Sequence, residues 1–221
     1  MSDGRKVVLA LRSGQRESTE SWSRLLRSLR DRGLRCPRLV IGDGHLGIWA
    51  ALRNLFPEAE EQRCWNHRMV NVLDRIARRD QPAARDLLGK VAYAETVEAA
   101  RRAKKTFQQW CAQRGYEDAG LLLEQDWERL TTFYRFPREH WQHLRTTNPV
   151  ESPFAALRLR TVAAKRFKRV ENAMAVMWKL LLIGERKFRR LNAPEMLVEV
   201  WQGAEFVDGI RVPDHQEKAA A

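Results

Sequence analysis

The chain has 221 residues, 44% of them hydrophobic and 31% charged, with a formal net charge of +12. That balance suits a folded, water-facing protein rather than a disordered one, and no apolar run reaches the roughly 20 residues that a membrane-spanning helix needs. Met1 to Lys6 lacks the apolar core of a signal peptide, so a cytoplasmic location is expected, and three widely spaced cysteines, Cys36, Cys64 and Cys111, do not make a disulfide framework.

In chain order, Lys6 to Leu11 is a short apolar run predicted as a buried strand. A helix follows, capped by Ser18 or Thr19, with Trp22, Leu25, Leu26 and Leu29 on one face and Gly33 at its end. Arg38 to Ile41 reads as a second strand running into Gly42-Asp43-Gly44. A second helix carries Leu46, Ile48, Trp49, Leu52 and Leu55 and stops at Pro57, and Glu61 to Cys64 reads as a third strand. From Asn66 onward the periodicity is helical, through Met69, Val72, Leu73 and Ile76, then Leu87, Leu88 and Val91. Ala99, Ala103, Phe107 and Trp110 form another face, capped by Thr96 and ended by Gly115, and Trp127, Leu130 and Phe133 continue the series. Two more helices are predicted near residues 149–160 and 170–191. The expected class is α/β with a large all-α insertion. Residues 1–75 form the first part of the core, 76–145 the insertion, 146–212 the returning helices with a basic surface, and 213–221 a disordered tail.

Charge is unevenly placed. Between Ser152 and Asn192 eleven Lys/Arg face only Glu171 and Glu185. A solvated helix face accounts for most charge runs, yet such one-sidedness favours a phosphate-binding surface. Asp43, at the carboxyl end of a strand between two glycines, stands where α/β folds place ligands; it can equally be the N-cap of the next helix. Glu151 follows Asn148-Pro149 at the third helical position, which is the form of a capping box as well as of a helix-borne catalytic acid. Cys64 and His67 make a Cys-x-x-His pair, and His140 and His143 are a conceivable second half, but the spacing is weak and a zinc site is not expected. Trp65 and Trp141 lie among polar residues, where stacking on a base competes with burial.

Four stretches together carry a family likeness: Val40-Ile41-Gly42-Asp43-Gly44-His45; Gln62-Arg63-Cys64-Trp65-Asn66-His67; Phe136-Pro137 through Leu144-Arg145-Thr146-Thr147-Asn148-Pro149-Val150-Glu151-Ser152; and Arg158-Leu159-Arg160-Thr161. In order and spacing they resemble the mutator-type insertion-sequence transposases, DDE enzymes whose ribonuclease-H-like core carries an α-helical insertion. The resemblance implies that Asp43 and Glu151 are the second and third catalytic carboxylates. It implies two Mg²⁺ (or Mn²⁺) ions held by them, and a supporting role for Cys64, His67 and Asn148. Arg145, Arg158, Arg160, Lys165, Arg166, Lys168 and Arg169 are then expected to hold DNA, at the element ends and the target, in a nucleoid-associated homo-oligomer that binds no membrane.

The family's first catalytic aspartate lies on a strand before Lys6 to Leu11, which leaves the core partial here, with its first strand missing. Asp3, at a turn before that segment, is a poor candidate for the missing acid, and the chain alone is expected to lack strand-transfer activity. The alternative is a catalytically dead, truncated DNA-binding remnant of such a transposase. A more distant rival is a helical interaction protein whose basic stretch meets acidic partners or membranes.

Overall fold

The computed structural model describes residues 3–13, 18–148, 154, 157–158, 161 and 167–213. It is a mixed α/β chain dominated by helices, in two units. The first comprises residues 1–40, 44–60 and 147–197, the second 41–43, 61–146 and 198–221. Among the described residues no helix is long and apolar enough to cross a membrane, and the three cysteines are free.

In the first unit α1 (Thr19–Asp31) starts at Ser18, whose hydroxyl accepts from the Ser21 N–H while the Ser21 side chain returns the bond to the cap backbone. This reciprocal box satisfies two amides that a helix start leaves open. The segment ends at Gly33, with φ 95, a left-handed value that glycine adopts without steric cost. Helix α2 (Leu46–Leu55) packs on α1. Ile48, Trp49, Leu52 and Phe56 are buried there, with Trp22, Leu26, Leu34 and Val40 against them. The close approach needs Gly47, since a Cβ at that position would lie 2.9 Å from the Ser18 carbonyl carbon and the Thr19 nitrogen.

Strand β1 (Leu39–Gly42) pairs with β2 (Glu60–Arg63) in a two-stranded sheet. Glu60 N–H donates to the Arg38 carbonyl at 3.1 Å and Cys64 N–H to the Gly42 carbonyl at 2.8 Å. Both partners advance in the same sense, so the ladder is parallel.

The strand expected over Lys6 to Leu11 does not form. The segment has no regular secondary structure and pairs with no described strand. Its backbone is held by side chains instead. Val8 N–H donates to a Glu185 carboxylate oxygen at 2.8 Å, and Arg32 donates to the Leu9 carbonyl at 2.9 Å. A strand is defined by its ladder partner, and apolarity alone does not supply one. The helix expected over 170–191 is α9 (Val170–Glu185), shorter because the chain leaves it to make the Leu191 N–H bond to the Gly4 carbonyl.

The second unit is built on α3 (Trp65–Leu73), α4 (Gln81–Ala92), α5 (Val97–Gln113), α6 (Glu117–Gln125), α7 (Trp127–Thr131) and α8 (Trp141–Leu144). One continuous core includes Trp65, Val72, Leu88, Val91, Phe107, Leu123, Leu130, Phe133 and Trp141. Thr96 caps α5 by accepting from Ala99 N–H at 3.1 Å. Helix α6 was not foreseen. Its apolar residues Leu121, Leu122 and Leu123 are consecutive, so they show no clear period.

Also unforeseen was a hairpin. After α10 (Leu197–Gln202), β3 (Phe206–Val207) and β4 (Ile210–Arg211) pair antiparallel around Asp208-Gly209. Both turn residues have positive φ, 50 and 79, as a type I′ turn demands. Asp208 accepts from Val97 N–H at 2.7 Å. Gly209 donates to the Tyr134 carbonyl and accepts from Arg138 N–H. The turn therefore ties the end of the chain to the start of α5 and to the segment before α8.

A Cβ at Gly209 would stand 2.7 Å from Arg138 Cβ and 2.8 Å from the Trp141 ring. Gly209→Ala is expected to cost about 2–4 kcal/mol from combined overpacking and left-handed strain. Thermal denaturation of the two proteins checks this, and an unchanged Tm would show that the turn does not hold the unit together.

Candidate active-site region

Asp43 lies directly after β1, exposed, between Gly42, which is buried, and half-buried Gly44, whose φ is 94. It does not cap the next helix. His45 does, its Nδ1 accepting from Gly47 N–H at 3.2 Å. The capping alternative for Asp43 is thereby removed, and its side chain is exposed at the strand end.

Cys64 is fully buried and forms the N-cap of α3 without a side-chain cap bond, while His67 is half-buried one turn on. Among the described residues no three His, Cys, Asp or Glu side chains converge as metal ligands, so the Cys64/His67 and His140/His143 pairs do not combine into one site. Trp65 and Trp141 are 2% and 4% exposed. Their indole N–H groups donate to the Leu130 and Phe136 carbonyls, so both are core residues and the base-stacking alternative falls.

Arg145 was expected to hold DNA. It is half-buried, with its guanidinium over the rings of Tyr93, Phe133 and Trp141, at 5.1, 4.8 and 5.3 Å, and burial pulls its pKa down. Its carbonyl accepts from Trp65 N–H at 2.9 Å, which fixes the start of α3. Arg158, Lys168 and Arg169 are exposed, as a phosphate-binding surface requires. Asn148 is exposed. Glu151, Arg160, Lys165 and Arg166 lie outside the described residues.

The feature that sequence reading did not single out surrounds β2. Gln62 is fully buried. Its amide N–H₂ donates to the Arg63 and Leu130 carbonyls, and its oxygen accepts from Phe133 N–H at 2.8 Å. Arg63 and Arg68 are also buried, at 4% and 6% exposure. Both pair with Asp126: Arg68 through Nη2, and Arg63 through Nε at 3.4 Å. The Arg63 N–H is not aimed at that oxygen, however, and its Nε and Nη1 make no hydrogen bond. Asn71, with its amide oriented to donate to the His67 carbonyl, accepts from Arg63 Nη2 at 3.3 Å. Arg129 bridges Glu61 at 2.6 Å and Asp126 at 3.5 Å.

Desolvation dominates this cluster. Burial pulls the Arg68 guanidinium down to about 10, helped by repulsion from Arg63 and Arg75. Burial pulls Arg63 down too, while Asp43 and Cys64 push it back toward the charged form. The only outward sign in the sequence is a strand, Glu60-Glu61-Gln62-Arg63, with no apolar residue. A buried strand of that composition has to bring its own hydrogen-bonding partners.

Asp126→Asn would leave two buried guanidiniums without their shared carboxylate. Such broken pairs cost about 3–5 kcal/mol, so the variant is expected to melt well below the native chain. A Tm within a degree of native in calorimetry would mean that Asp126 is not the anchor.

The profile of the family described as "Transposase, Mutator family" matches residues 1–188 of the chain. Among similar proteins, the transposase for insertion sequence element IS6120 of Mycolicibacterium smegmatis is 41% identical over 208 residues, covering 94% of this chain and 64% of that protein. The transposase for insertion sequence element IST2 of Acidithiobacillus ferrooxidans is 38% identical over 99% of this chain and 75% of its own length. The corresponding figures for the transposase of ISRM5 from Rhizobium meliloti (strain 1021) are 31%, 86% and 48%. The chain thus spans from about half to three quarters of the length of these relatives. With a family profile covering most of its residues, the chain belongs to the Mutator family of transposases.

Proposed function

We propose that the chain is part of the catalytic region of an insertion-sequence transposase, acting by metal-dependent DNA cleavage and strand transfer, with Asp43 and Glu151 as two of the metal-binding carboxylates of a ribonuclease-H-like core. The observation that carries this reading is the position of Asp43. It is an exposed carboxylate at the carboxyl end of a parallel strand pair, between two glycines, and the cap of the following helix is supplied by another residue. Related proteins named as transposases for insertion sequences support the same reading.

A carboxylate oxygen at an exposed strand end is a hard donor of the kind Mg²⁺ and Mn²⁺ take. Held there, such ions would supply activation of a water or a DNA 3′-hydroxyl and stabilisation of the leaving oxygen. The protein's own part is to place the carboxylate and to hold the phosphate backbone. Arg158, Lys168 and Arg169 are suited to the second task by exposure and charge. Arg145 is left out because its guanidinium is stacked on aromatic rings.

The metal role is tested without relying on catalysis. With Fe²⁺ in place of Mg²⁺ and ascorbate present, radicals generated at the bound ion cut the nearby peptide chain. Scission close to residues 43 and 151 is expected, suppressed by excess Mg²⁺ and lost in Asp43→Asn and Glu151→Gln. Scission that both variants leave unchanged would sink the assignment.

The DNA role is tested by salt. Replacing Arg158, Lys168 and Arg169 together by Gln is expected to reduce the slope of log K against log[salt] by about 2–3 units, since each lost phosphate contact removes roughly one. An identical slope would place the DNA contacts elsewhere.

A further inference from the structure

A guanidinium carries five N–H donors and no acceptor. That of Arg145 is surrounded by rings: Phe133 at 4.8 Å, Tyr93 at 5.1 Å and Trp141 at 5.3 Å. Ring faces attract a cation, but they do not stand in for oxygen acceptors at its N–H groups. Among the described residues the Arg145 side chain makes no ion pair and no hydrogen bond, and its Nε is buried without a partner. The carboxylates on neighbouring segments are engaged elsewhere or face water. Asp208 accepts from Val97 N–H, and Glu95 and Glu139 are exposed. The nearby cation makes matters worse. Arg138 lies over the same Trp141 ring at 5.3 Å and donates to the Glu95 carbonyl at 3.0 Å. Burial opposes the Arg145 charge most, Arg138 adds to the penalty, and Tyr134 and Tyr93 work against it.

Tyr93, the residue that ends α4, differs from the other two rings in being 61% exposed. A single exposed ring needs no explanation. This one has a half-buried guanidinium at its back whose donors lack acceptors. The pair suits a ligand with a flat face and an attached anion. The face stacks on the ring and the anion meets the guanidinium edge. A carboxylate or an acidic peptide would satisfy Arg145 and leave Tyr93 unused. A base inside a duplex is already stacked on its neighbours and cannot reach the ring. A nucleotide without a pairing partner meets both demands.

We propose that Tyr93 and Arg145 receive an unpaired nucleotide of DNA, its base on the Tyr93 ring and its phosphate at the Arg145 guanidinium. The inference rests on the reading of the chain as one that acts on DNA, and it adds a subsite to the grip assigned to Arg158, Lys168 and Arg169. Those exposed side chains can follow a duplex backbone. Arg145 cannot, because three rings hold its guanidinium and its carbonyl is tied to Trp65 N–H. A stacked base brings one phosphate to it instead. A guanidinium already fixed in place loses little freedom when the anion arrives. Cleavage of one strand lets nucleotides beside the break leave the stack, so the proposed reaction itself supplies such a ligand.

The test compares, on the whole chain, a single-stranded oligonucleotide and the fully paired duplex of the same length, each end-labelled for fluorescence anisotropy. Tyr93→Ala is expected to weaken single-strand binding about tenfold, the loss of one stacked base, and to leave duplex binding unchanged. Tyr93→Phe keeps the ring and should stay close to native. Arg145→Lys keeps the charge but not the planar fork, and single-strand binding should weaken there too. If Arg145→Lys fails to fold, the exposed Tyr93 position decides by itself. Single-strand affinity that Tyr93→Ala leaves at the native value, or a loss of equal size on the duplex, overturns the proposal. The duplex arm separates the two readings. A native chain that binds neither form overturns the DNA reading as well, whereas native duplex binding with an unaltered single-strand arm in Tyr93→Ala removes the subsite alone.

Discussion

The cost of burying charge governs the region around the candidate site. Among the described residues Asp126 is the carboxylate paired with Arg63, Arg68 and Arg129 together, and removing it would strip two buried guanidiniums of their shared partner. Because Asp126 precedes α7 while the arginines come from β2, α3 and α7, the cluster joins strand to helices inside the second unit. The buried amide of Gln62 adds the same kind of tie, to Leu130 and Phe133. A replacement by apolar side chains could match the packing, but not the orientation that these directed contacts impose on the end of β2.

Much of the fold was legible in the sequence wherever a local rule acts alone. The apolar run around Val40, the Trp22/Leu26/Leu29 spacing, the Ser18 and Thr96 caps and the breaks at Gly33 and Gly115 all act over a few residues, and the elements they mark are present. What was not legible depends on partners distant in sequence. Lys6 to Leu11 has the composition of a strand, yet Glu185 and Arg32 take its backbone groups. The hairpin at Asp208-Gly209 did carry a local signal, an Asp-Gly pair between short apolar runs, but its strands are two residues each, below the length at which a period can be seen.

The candidate site divides in the same way. Asp43 could be singled out because a carboxylate between glycines after a strand is a local pattern, although only the structure shows that His45 takes the helix cap. Arg145 has the right charge for DNA, and its stacking on Tyr93, Phe133 and Trp141 follows from tertiary packing. The roles of Arg63 and Arg68 were invisible for a related reason. Nothing about an arginine in a strand or a helix announces that it will be buried, since most arginines are exposed.

The hairpin clasp also bears on how the chain comes to be folded. Asp208 and Gly209 meet Val97, Tyr134 and Arg138, partners some 70 to 110 residues earlier in the chain. Long-range closures of this kind are formed late and slow the search for the native state. During synthesis the helices from α3 to α8 emerge well before the turn that ties them. They must therefore wait on the ribosome with the clasp site around Trp141 uncovered. A nascent chain halted before residue 206 would hold its helical unit in a looser state than the finished protein, and would present that surface to chaperones and proteases.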